Sequence, residues 1–200
     1  MFARIENDQV TEYPVDLRLA YRHVSWPANL DAITSLPDGI VRVTPTEPPA
    51  STFSTPVEKT PEKVGDEWVQ QWELEPIPLE EAKERLKAEA TAKRREVENG
   101  GITVNGIAIA TAPEDRDYLH KAIEALERYS ELGEETVFKT ASGGWETLTL
   151  TQLQAIGAAI AQHVMACFAA EKTHHEAIDA IATIEEAEQY DVSTGWPGQE

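Results

Sequence analysis

Basic residues are scarce in this 200-residue chain. It has 17 Lys and Arg against 36 Asp and Glu, a formal net charge of -19. A nucleic acid or an anionic membrane surface attracts a basic protein, so binding to either through bulk electrostatics is not expected. There is one cysteine, Cys167, which excludes an internal disulfide framework and a cysteine-based zinc domain and fits a reducing compartment. No uninterrupted run of 18 apolar residues occurs, so no membrane insertion is expected. The first ten residues, MFARIENDQV, lack the apolar stretch of a signal peptide. What is present is a 41 % hydrophobic composition and enough length to bury a core, as one ordinary domain or two small ones.

Proline divides the chain. Ten of the twelve prolines precede residue 79, and the remainder is rich in Ala, Ile and Glu. The expected fold is α+β: a small β-rich N-terminal module (1–78), a connecting helix (79–98), and a C-terminal domain (99–200) of two β-hairpins and two to three helices. In the first module, Phe2–Ile5 and Val10–Tyr13 flank Asn7-Asp8, residue types that tolerate a tight turn. Residues 14–39 show no regular pattern, Ile40–Val43 reads as a short strand, and the proline-rich 44–56 reads as extended and solvated. Val57–Val64 and Trp68–Leu74 form a second hairpin around Gly65-Asp66. Trp68, Gln70 and Trp72 alternate, which puts both indoles on one face.

From Leu79 the pattern becomes helical. Leu79, Ala82, Leu86, Ala90 and Val97 form a thin apolar stripe, too weak for a helix alone in water. The stripe therefore packs on neighbouring modules or self-associates. Asn105-Gly106 between Ile102–Val104 and Ile107–Ile109 is a strong hairpin signal. Pro113 with two following acids opens a helix expected to end at Gly133. A hairpin at 137–148 turns at Ser142-Gly143-Gly144. A long helix then starts at Thr149 or Thr151. Thr183-x-x-Glu186 resembles a capping box for a short last helix, and 193–198 reads as a tail.

Candidate chemistry is sparse. His174-His175-Glu176 lacks the four-residue histidine spacing of a zinc-binding helix, and His163 lies about 16 Å from His174 by helical rise. No metal site is expected. Cys167 sits in an apolar run, as a buried small residue would. Gly100-Gly101 and Gly143-Gly144 match no phosphate-loop pattern and read as turns, so no cofactor is expected. Asp115 with Asp117, or Glu134 with Glu135, would be the acid pair of a glycosidase, but nothing raises them above the other acids. With no set of nucleophile, base and orienting group, the chain is not expected to be an enzyme. Candidate partner-binding residues are Trp68 and Trp72, as aromatic anchors, and Leu79, Leu86 and Val97 on the helical stripe.

Three segments carry a resemblance. REVENGGITVNGIAIAT, FKTASGGWETLTLTQLQAI and HVMACFAAE, within residues 83–191, resemble the DUF4376 domain of tailed bacteriophages and prophages. FARIENDQVTEYP and the G-x-x-W-x-Q-x-W-E hairpin resemble the start of phage proteins encoded beside tail-fibre genes. The resemblance implies a non-enzymatic virion component of the tail fibre or baseplate that acts in host adsorption and contacts a surface receptor. It also implies a homo-oligomer, with a trimer as the leading hypothesis. The alternative it leaves open is a tail fibre assembly chaperone. A polysaccharide depolymerase is the third reading.

Overall fold

The computed structural model describes residues 1–129, 133 and 135–198. The architecture is α+β, and the chain divides into two compact units, Met1–Ile77 and Pro78–Glu200.

In the first unit, β1 (Phe2–Glu6) and β2 (Gln9–Glu12) form an antiparallel hairpin. Asn7 and Asp8 both take positive φ, at 51° and 62°, which their short polar side chains tolerate. β1 also pairs antiparallel with β3 (Ile40–Thr44), and β3 runs parallel to β5 (Glu67–Pro76). β4 (Ser54–Val64) pairs antiparallel with β5, giving the order β2-β1-β3-β5-β4. β4 begins earlier than the sequence suggests. Pro56 and Pro61 are accommodated because β4 is an edge strand, and Pro61 falls where the register shifts between Lys59 and Glu62.

Alternation along the strands divides the core of this unit between the two sheet faces. Phe2 and Ile40 point to one face and Ala3, Val43 and Trp68 to the other. The first face is covered by residues 14–39, where no regular pattern was visible. This segment holds α1 (Leu17–Ala20), capped by the Asp16 carboxylate, and a 3-10 turn at Leu30–Ala32. Val15, Leu17, Trp26, Leu30 and Ile33 pack there. Arg42 holds the turn in place through the Asp31 carboxylate at 3.0 Å and carbonyls of Leu30 and Ile33.

The second unit is built on helices. α2 (Leu79–Asn99) packs on α4 (Leu150–Ala180) and on α5 (Ile184–Gln189). The helix expected as a connector therefore belongs to this unit. β6 (Ile102–Val104) and β7 (Ile107–Ile109) form the Asn-Gly hairpin, with Asn105 and Gly106 at positive φ. α3 (Pro113–Arg128) ends five residues before Gly133, so that glycine does not terminate it. β8 (Glu135–Lys139) and β9 (Trp145–Thr149) form the second hairpin, and Thr149 then caps α4 in a capping box with Gln152. One cluster unites these elements: Ile109, Leu119, Phe138, Leu148, Leu153, Ile156 and Ile160.

Two features of this unit were not visible in the sequence patterns. α4 is long and apolar enough to cross a membrane by length and composition, with a mean hydropathy of 1.5 over an 18-residue window, of which 22 % is buried. Single polar residues such as Gln162 and His163 break a strictly apolar run without lowering the window average below that level. The tail is also folded back. Trp196 is buried and stacks on His174 with ring centroids 4.9 Å apart. His174 is fixed on both sides, by the Tyr190 hydroxyl at 2.8 Å and by the Thr194 carbonyl, to which Nε2 lies at 2.9 Å.

Candidate functional site

The buried stripe of α2 runs at four-residue spacing through Ala82, Leu86 and Ala90, and then continues through Arg94 and Glu98. These two charges are buried and form an ion network. Arg94 donates to Glu98, and its Nε faces the Glu171 carboxylate of α4 at 2.8 Å. Arg116 of α3 donates to the other Glu98 oxygen at 2.7 Å. The Arg94 guanidinium lies 4.4 Å from the Phe168 ring centroid. Thr111, fully buried, donates to the Glu98 carbonyl at 2.6 Å and accepts from the Gly101 amide at 3.0 Å. Gly101 needs its hydrogen, since a Cβ there would lie 2.9 Å from the Ile109 carbonyl oxygen. The network joins α2, α3 and α4. Both Glu98 oxygens are engaged by guanidinium groups, which suits a clamp rather than a proton-transfer group.

Three of the five sequence-derived partner residues have internal roles. Trp68 is 9 % exposed and packs with Ala3 and Val43. Trp72 is half-buried, and its indole N–H donates to the Thr46 hydroxyl at 3.1 Å. Thr46 is also held by Gln70, so the start of the proline-rich segment docks on β5 instead of being solvated. Gln70 and Tyr13 both donate to Glu58, and burial, reinforced by that bond, pushes the Tyr13 phenol well above its ordinary value. Leu86, 2 % exposed, is consumed in the α2 packing, whereas Leu79 and Val97 are half-buried. The aromatic alternation and the stripe were both legible as apolar, but neither pattern distinguishes an internal partner from an external one.

The remaining candidates lie apart. Cys167 is buried, and burial, helped by the nearby Glu98 charge, pushes its thiol pKa up. His163 Nε2 lies 3.0 Å from the Val97 carbonyl oxygen. Among the described residues no group of three or more His, Cys, Asp or Glu is arranged to hold a metal ion. Asp117 pairs with Lys121 at 2.5 Å, while Asp115 lines a hollow beside Tyr118 and Trp145. Glu135 is exposed at the start of β8, and Glu134 lies outside the described residues. Gly100-Gly101 precedes β6, and Gly143-Gly144 lies in the β8–β9 turn.

Two apolar features of the second unit face solvent. On α4, Met165 is 70 % and Phe168 51 % exposed, on a face flanked by Ala158, Ala161 and Ala169. Between Leu150 and Ala170 that helix carries no Asp, Glu, Lys or Arg. The hollow beside β8 and β9 is the other, edged by exposed Tyr118, Val137 and Trp145. Exposed patches of this kind mark interaction surfaces more often than isolated exposed apolar residues do.

Residues 81–194 match the family described as a domain of unknown function, DUF4376. The match covers more than half of the chain, and the protein belongs to this family. No curated protein and no solved structure matches it.

Proposed function

We propose that this chain is a bacteriophage tail protein, a non-enzymatic virion component at the tail fibre or baseplate that takes part in host adsorption. Family membership and the resemblance of the N-terminal segments to proteins encoded beside tail-fibre genes support the phage setting. The observation that carries the structural-component role is the outer face of α4, free of charged side chains over Leu150–Ala170 and apolar at Ala158, Ala161, Met165, Phe168 and Ala169, in a chain of net charge -19. Two copies of so acidic a protein repel each other over most of their surface, and this face is a place where they meet without that cost. The α2 stripe is already used by α4, so the homo-oligomer contact, in a trimer on this reading, falls on Ala158, Met165 and Ala169 instead.

On this reading α4 is a core helix with a protein-binding outer face and is not inserted in a membrane. Its inner face is closed by Leu153, Ile156, Ile160, Cys167 and Ile178. The test is mass spectrometry of purified mature phage particles, with copy number measured against the major tail protein. A fixed stoichiometry is expected. Absence from particles, with co-purification on unassembled fibre, would replace this reading with that of a fibre assembly chaperone.

A further inference from the structure

The second exposed feature of the second unit has the composition of a small-molecule site. A cavity of about 490 Å³ lies between the first half of α3 and the β8–β9 hairpin. That volume falls within the ~300–1,000 Å³ of ordinary ligand pockets. Three large apolar side chains stand at its edge in solvent: Trp145 at 67 % exposure, Tyr118 at 63 % and Val137 at 58 %. The backbone fixes their placement. Lys139 lies directly opposite Trp145 in the ladder, and Val137, two residues before Lys139, shares its face. Asp115 and Tyr118 are three residues apart on α3 and therefore neighbours on its surface.

The polar part of the lining narrows the ligand. Among the described residues the Asp115 carboxylate has no cation or hydrogen-bond partner, and the Lys139 ammonium has only the Trp145 ring, 5.9 Å from its centroid. The Thr140 hydroxyl also lines the cavity but is already bonded within the turn, to Ser142 at 2.9 Å and to the Gly144 carbonyl at 3.4 Å. A wholly apolar ligand would strip water from Asp115 and Lys139 and return no hydrogen bonds. A nucleotide would bring phosphate beside Asp115 in a chain of net charge -19. A pyranose ring meets both demands. Its C–H face lies on an indole or phenol ring, and its hydroxyls donate to a carboxylate and accept from an ammonium or a hydroxyl.

We propose that Trp145, Tyr118, Asp115 and Lys139 form a binding site for an uncharged saccharide. The proposed site binds rather than cleaves: among the described residues Asp115 is the one acid in the lining, and glycoside hydrolysis ordinarily needs two. It stands on the cavity alone, whether or not the chain is a tail component. The experiment is saturation-transfer difference NMR on the full-length protein, with glucose, galactose, mannose and N-acetylglucosamine as monosaccharides and β-linked disaccharides. Transfer to the ring C–H protons of at least one of these is expected. Trp145→Ala is expected to weaken binding about tenfold, the equivalent of one aromatic contact. Asp115→Asn is expected to weaken it less. All these side chains are exposed, so the variants keep the wild-type circular dichroism. Absence of transfer from every sugar at tens of millimolar, or binding that survives Trp145→Ala unchanged, overturns the proposal.

Discussion

The two units close their cores in opposite ways. In Met1–Ile77 a sheet separates two small clusters, and one of them is finished by a segment with four residues of α-helix and a single 3-10 turn. In Pro78–Glu200 a cluster drawn from both hairpins and α3 packs on the first half of one 31-residue helix. The first unit depends on pairings between distant strands, β1 with β3 and β3 with β5, whereas most of the second follows from local helical periodicity. Both tryptophans of β5 are engaged inside the first unit, which exposes only aliphatic side chains and Met1 among its large apolar residues, Leu19 and Val64 most of all. The second unit leaves Met165, Phe168 and Trp145 in water. The exposed aromatic side chains all lie on the second unit, and aromatic rings are favoured anchors for partners.

Substitutions in each unit test how separate these cores are. Glu98→Ala carries the largest expected effect, because it leaves Arg94 buried without its main partner and releases Arg116. Leaving a buried charge with no partner costs about 3–5 kcal/mol, of which Glu171, still facing Arg94, offsets a part. Hydrogen exchange should accelerate in α2, α3 and α4 and stay at wild-type rates in β1 and β3. Equal loss of protection in both units would contradict the division. Leu17→Ala is the mirror experiment in the first unit. Leu17 is fully buried under the sheet, and its truncation is expected to cost about 2–5 kcal/mol. Protection should fall in Phe2–Glu6 and Ile40–Thr44 while α4 is unaffected.

A smaller effect concerns Cys167. Its folded-state pKa is raised by burial, so the folded protein holds the thiol proton more tightly than the unfolded chain does. The stabilisation is complete below the ordinary thiol value and is lost as pH rises through the raised one. At pH 8 a thiol reagent should label Cys167 only as fast as the second unit opens. Labelling at the rate of a free thiol would show that the α2–α4 packing is wrong.

Legibility followed the range of the signal. Asn7-Asp8, Asn105-Gly106, Pro113 and the Thr149 region are local devices, and each marked its element in the sequence. The start of β4 was hidden because Pro56 and Pro61 argue against a strand unless it is known to be an edge. The cover formed by Val15–Leu36 has no period, so its apolar residues were visible without their destination. At the candidate sites, the α2 stripe reads as apolar and its continuation through Arg94 and Glu98 does not stand out, since charged residues are rarely buried unless paired. The four-residue spacing from Ala82 was the available signal. The burial of Trp196 is hidden in the sequence for a similar reason. Gly195, Pro197 and Gly198 around it resemble a loose tail, and only the fold brings His174 to the indole.

The outer face of α4 is the feature on which the proposed role turns, and sedimentation velocity on the full-length protein and on Met165→Glu tests it most directly. Met165 is 70 % exposed, so the substitution leaves the fold intact, which circular dichroism verifies. An oligomer is expected for the wild type and a monomer, or a strongly weakened assembly, for the variant. A wild-type protein that stays monomeric at high concentration, or an oligomer indifferent to the added charge, would contradict it.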